Sequence, residues 1–66
     1  MILTVNNKPM ELTDRATVAS LLRELGLESS PCAVEVNREL VPKSRHQYAT
    51  LKDGDVVEIV TLVGGG

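Results

Sequence analysis

The sequence predicts an α+β fold, a mixed sheet of four to five strands covered on one face by one main helix. Three observations carry this expectation. Runs rich in β-branched and aliphatic residues, MILTVN, AVEVN and VVEIVTLV, stand near the start, the middle and the end of the chain. One segment, TVASLLRELG, has helical rather than alternating periodicity. Residues suited to tight turns separate these runs: Asn6-Asn7, Asn37-Arg38 and Asp53-Gly54-Asp55.

The elements follow in order. MILTVN reads as the first strand. Asn6-Asn7-Lys8-Pro9 is turn chemistry, because Asn tolerates a left-handed φ and Pro presets its own. MEL returns, so residues 1–13 form a hairpin. Val18, Leu21, Leu22 and Leu25 recur at i, i+3, i+4 and i+7 and define one apolar face, which places the helix at 18–25. The Thr17 hydroxyl is placed to cap its start, and Gly26 suits the left-handed residue that closes it. Ser29-Ser30-Pro31 is loop. AVEVN alternates, Asn37-Arg38-Glu39 turns the chain, and LVP is a short strand that Pro42 ends or confines to an edge. KSRHQYATL reads as irregular or as a single helical turn. After Asp53-Gly54-Asp55, VVEIVTLV is the last and longest strand.

A hairpin, a crossover helix and further strands return the chain parallel to an earlier strand and give a mixed sheet. That order is the arrangement of the ubiquitin-like β-grasp. Alternation puts Leu3, Val5, Val34, Val36, Val57 and Ile59 against the helix. The opposite face then carries Ile2, Thr4, Glu35, Glu58, Val60 and Leu62. One helix cannot cover both faces, so the apolar side chains Ile2, Val60 and Leu62 are a candidate partner-docking patch beside the end of the last strand.

Composition narrows the function classes. A 66-residue chain buries only about 60% of the surface it exposes when unfolded, which leaves little for an enclosed active site. The core must be aliphatic, since Tyr48 is the only aromatic residue. A net charge of −2 and the lack of an aromatic platform argue against nucleic acid. Arg38, Lys43 and Arg45 read as a solvated loop rather than a binding patch. No apolar stretch approaches the roughly 20 residues of a membrane helix, and no leader is evident. Cys32 is the single cysteine, so an internal disulfide is excluded. The expectation is a cytoplasmic protein.

The residues offer no catalytic or metal constellation. His46 is the only histidine, and its spacing from Cys32 is not that of a ligand pair. Cys32 reads as a small buried or half-buried residue and His46 as a surface one. The glycine run Gly64-Gly65-Gly66 is not a phosphate loop, because no helix follows it. It stands at the end of the chain, with a domain at 1–63 and a tail at 64–66. A frayed end is the plain reading. The chemical reading is sharper. Without Cβ atoms, a glycine tail can pass extended through a channel too narrow for any other residue. Its carboxylate is a poor electrophile until activated, and adenylation by ATP supplies the leaving group that a sulfur nucleophile can displace. On that reading the protein is a co-substrate and carrier, not an enzyme.

TVASLLRELG, AVEVNRELVP and LKDGDVVEIVTLVGGG together closely resemble the ThiS family of sulfur carriers in bacterial thiamin biosynthesis. The likeness covers essentially the whole chain, through Asn37, Val41-Pro42, Asp53-Gly54-Asp55 and Gly65-Gly66. It implies that a ThiF-type, E1-like enzyme adenylates Gly66 with ATP. The carboxylate then becomes a thiocarboxylate (1-thioglycine), its sulfur coming from cysteine through a desulfurase. A ThiG-type thiazole synthase receives that sulfur. Only Gly65 and Gly66 carry over as functional residues, and the chain itself would bind no cofactor. Two other readings stand beside this one: a carrier of the molybdopterin-synthase small-subunit type, and a TGS-like β-grasp binding module.

Overall fold

The computed structural model describes residues 1–62. Strands β1 (Ile2–Val5) and β2 (Lys8–Glu11) form a hairpin, followed by α1 (Val18–Glu24), β3 (Cys32–Val36), β4 (Glu39–Val41), a 3₁₀ turn (Lys43–Arg45) and β5 (Val56–Thr61). The sheet order is β2-β1-β5-β3-β4. Only β1 and β5 run parallel, and the other neighbours are antiparallel. The last strand in sequence is thus the central strand in space, between β1 and β3. This is the expected β-grasp with five strands.

Both hairpins close on two-residue turns in which each central residue has positive φ: Asn6 at 48° and Asn7 at 68°, Asn37 at 51° and Arg38 at 70°. Paired left-handed residues match the twist of the flanking strands, and asparagine reaches that region more readily than other side chains. The first turn is tighter than the sequence suggests. Pro9 lies inside β2 and not in the turn. It is tolerated there because β2 is an edge strand that pairs only with β1.

The helix begins in a capping box: the Ser20 backbone N–H donates to Thr17 Oγ1 (3.2 Å) and the Thr17 N–H to Ser20 Oγ (2.6 Å). Its other early donors reach the 43–50 segment. Val18 N–H donates to the Ala49 carbonyl (3.0 Å) and Ala19 N–H to the His46 carbonyl (2.9 Å). The far end closes with Leu27 N–H on the Leu22 carbonyl (2.7 Å) and Gly26 N–H on that of Arg23 (3.0 Å), with Gly26 at φ 74°. This paired closure needs a left-handed residue where glycine stands.

The core lies between α1 and one sheet face. Leu3, Val18, Leu21, Val34 and Val57 are its most enclosed side chains. Val5 and Ile59 are buried with them, and Val36 is half-buried against the same cluster. These are the inward residues that alternation predicts.

His46 corrects the sequence reading. It is 8% exposed rather than a surface residue. Its ring packs inward because its carbonyl serves the helix N-terminus and its Nε2–H donates to the Val41 carbonyl (3.1 Å). A carbonyl can only accept, so that nitrogen carries the proton. His46 staples the 43–50 segment between β4 and α1.

Candidate functional site

The candidate site is the C-terminal half of β5 and its open face, and the turns around β5 position it. The Asn6 side chain clamps the strand, its Oδ1 accepting from Ile59 N–H (2.8 Å) and its Nδ2 donating to the Ile59 carbonyl (3.2 Å). Its backbone N–H also donates to Val57 (2.9 Å), so the parallel pairing continues past the last residue of β1. At the other hairpin, Asn37 Oδ1 accepts from Val56 N–H (2.9 Å), and Nδ2 donates to Asp55 Oδ1 (3.0 Å). Asp55 Oδ2 closes its own turn by accepting from Lys52 N–H (2.8 Å). Two left-handed asparagines therefore grip β5 from either side.

The outward side chains of β5 meet solvent. Val60 is 59% and Leu62 is 52% exposed, whereas Val57 is fully enclosed. Leu62 N–H donates to the Pro31 carbonyl (2.8 Å), which holds the strand end against the start of β3. Val60 pairs with Ala33, and Glu58 with Glu35.

Ile2 shares this face and is also exposed, at 57%, but the structure does not bring it to Val60 and Leu62. The parallel register pairs Thr4 with Val56, and Gly54 N–H donates to the Ile2 carbonyl. That puts Ile2 level with the start of β5, roughly 20 Å along the strand from Val60 at about 3.3 Å per residue. The patch beside the strand end is Val60 and Leu62, with Ala33 next to them.

Gly64, Gly65 and Gly66, with the boundary proposed between residues 63 and 64, lie outside the described residues. The remaining candidates do not form a reactive group. Cys32 is half-buried at the head of β3 and packs against the core. Its register partner is Thr61, and His46 Nε2 is committed to Val41. Among the described residues no group of His, Cys, Asp or Glu is arranged to hold a metal ion. No helix among them is long and apolar enough to cross a membrane.

Sequence reasoning missed the amide clamps of Asn6 and Asn37 and the burial of His46. For the asparagines a signal existed, since each opens a two-residue turn, but the partner of each amide depends on the parallel register. His46 carries no periodic signal.

Comparison with known proteins bears on the same features. The sequence profile of the ThiS family matches residues 3–66. A sulfur carrier protein ThiS from Bacillus subtilis is 39% identical over 66 residues, covering 98% of this chain and 100% of that protein. A thiazole synthase from Paramagnetospirillum magneticum is 44% identical over 66 residues. There the match covers all of this chain but only 20% of the relative's length. The crystal structure of a thiamine biosynthesis protein (ThiS) from Geobacter metallireducens superposes with a TM-score of 0.84 at 36% identity, covering 100% of both chains.

Proposed function

The chain belongs to the ThiS family, and from that premise we propose that it is a sulfur carrier for formation of the thiamin thiazole, acting through the carboxylate of Gly66. A ThiF-type adenylating enzyme supplies the active site and binds ATP. One oxygen of the Gly66 carboxylate attacks the α-phosphate, and pyrophosphate leaves. The acyl adenylate is then attacked at its carbonyl carbon by hydrosulfide, the tetrahedral intermediate expels AMP, the S–H proton is lost, and a thiocarboxylate remains at Gly66. A ThiG-type thiazole synthase takes the sulfur. The protein contributes no acid, base or metal, because catalysis belongs to the partners.

On this proposal the labour divides between tail and domain. Gly65 and Gly64 let the carboxylate enter a narrow channel, since neither has a Cβ to obstruct it. The 1–63 domain gives the partners a surface to recognise, and among the described residues Val60 and Leu62 are its exposed apolar side chains nearest the tail in sequence. Ile2 lies apart from that patch, roughly 20 Å along the strand direction from Val60.

One observation carries this reading: a family match that runs through residue 66. Transfer of radiolabelled sulfur tests it. With ATP, the adenylating enzyme and a labelled sulfur donor, label should appear first on this chain and then, after thiazole synthase and its substrates are added, in the small-molecule product. Label that reaches product without residing on the chain contradicts the proposal.

A further inference from the structure

The open face carries a charge arrangement that the fold does not need. Glu35 and Glu58 are direct cross-strand partners, and both are exposed. The bonds from Asn37 N–H to Val56 and from Leu62 N–H to Pro31 bracket this ladder. Antiparallel alternation then makes Glu35–Glu58 a hydrogen-bonded pair, with Cα atoms about 5.5 Å apart. Like charges directly opposite each other destabilise a sheet. Among the described residues no basic side chain pairs with either carboxylate. On the other side of Glu35 stands Leu40, not a lysine. The adjoining pair on the same face is Val60–Ala33, beside Leu62.

We propose that this patch docks on thiazole synthase by receiving a cationic side chain, best an arginine, between Glu35 and Glu58, while Val60 and Leu62 pack on an apolar surface beside it. Two carboxylates at cross-strand spacing suit a planar guanidinium, which presents five N–H donors in a fork. The bound cation also removes the repulsion that the free sheet retains. The occupant follows from charge complementarity, and from the thiazole synthase relative in which a segment like this whole chain lies within one polypeptide. The inference rests on the sulfur-carrier reading above.

The test uses thiazole synthase from the same source, with binding measured at low and high salt and thermal midpoints measured alongside. Glu58→Gln should weaken binding by about tenfold at low salt, flatten its salt dependence, and leave the midpoint equal or higher. Glu58→Lys sets an opposite charge against Glu35, so it should raise the midpoint while binding is lost. Binding within twofold of wild type in both variants overturns the proposal. So does a fall in midpoint that accompanies the loss, which makes the role structural. A loss confined to the adenylating enzyme overturns the assignment to thiazole synthase. Sulfur loading of the wild-type chain is measured in parallel. If that fails, the sulfur-carrier reading fails and takes this one with it. Normal loading with unaffected binding strikes only the arginine site.

Discussion

The two faces of β5 stand in sharp contrast. Val57 and Ile59 point toward α1 and are buried, whereas Glu58 and Val60, their neighbours in sequence, point outward and are exposed. Period-two alternation assigns opposite work to consecutive residues. The inner set holds the domain together. The outer set contributes little to the fold, and at Glu58 it opposes it. A strand with one face devoted to stability and the other relieved of it can vary its outer face for recognition without losing its place at the centre of the sheet.

The comparison can be broken most severely at Val57. Val57→Asp buries an unpaired carboxylate in a fully enclosed site, and the domain should lose its cooperative unfolding transition altogether. Circular dichroism through a thermal ramp checks this. The clamp comes next. Asn6→Gly keeps the left-handed turn but removes both amide bonds to Ile59. It should cost about 2 kcal/mol in a urea titration, two hydrogen bonds of about 1 kcal/mol each. A change within error of zero would mean that the parallel ladder holds β5 without it. Thr17→Ala should cost about 1 kcal/mol by removing the helix cap, measured the same way. The smallest effect on stability belongs to the outer face. Leu62→Asp should shift stability by less than about 0.5 kcal/mol while weakening partner binding, as calorimetric titration would record. An unfolded Leu62→Asp chain would reverse the assignment of faces.

How much of this was legible in the sequence depends on the range of the interaction. The helix, its Thr17 cap and the Gly26 closure are local, and the pattern of leucines and the capping residues locates them. The faces of β3 and β5 are legible too, because alternation needs only the strand itself. The position of a residue along the sheet is not. Ile2 shares a face with Val60, yet the β1–β5 register separates them, and that register pairs residues far apart in sequence, which no local pattern encodes. Pro9 looked like a turn residue because its place on an edge strand is a property of the whole sheet. His46, alone in a polar stretch, could be recognised as a staple only once α1 and the 43–50 segment were seen to meet. The reading of Gly64, Gly65 and Gly66 as a working tail rests on chemistry and family resemblance, not on packing, since those residues lie outside the described ones.

The central claim is that Gly66 carries the sulfur while the domain behind it serves recognition. Intact-protein mass spectrometry tests this most directly, after incubation with ATP, a ThiF-type adenylating enzyme and a sulfur donor, on the full chain and on one lacking Gly66. The account predicts an AMP adduct followed by exchange of one oxygen for sulfur on the full chain. It predicts neither on the shortened chain, which should unfold at the same urea concentration. The same mass shifts on the chain without Gly66, or none on the full chain with an enzyme active on its own carrier, would contradict it.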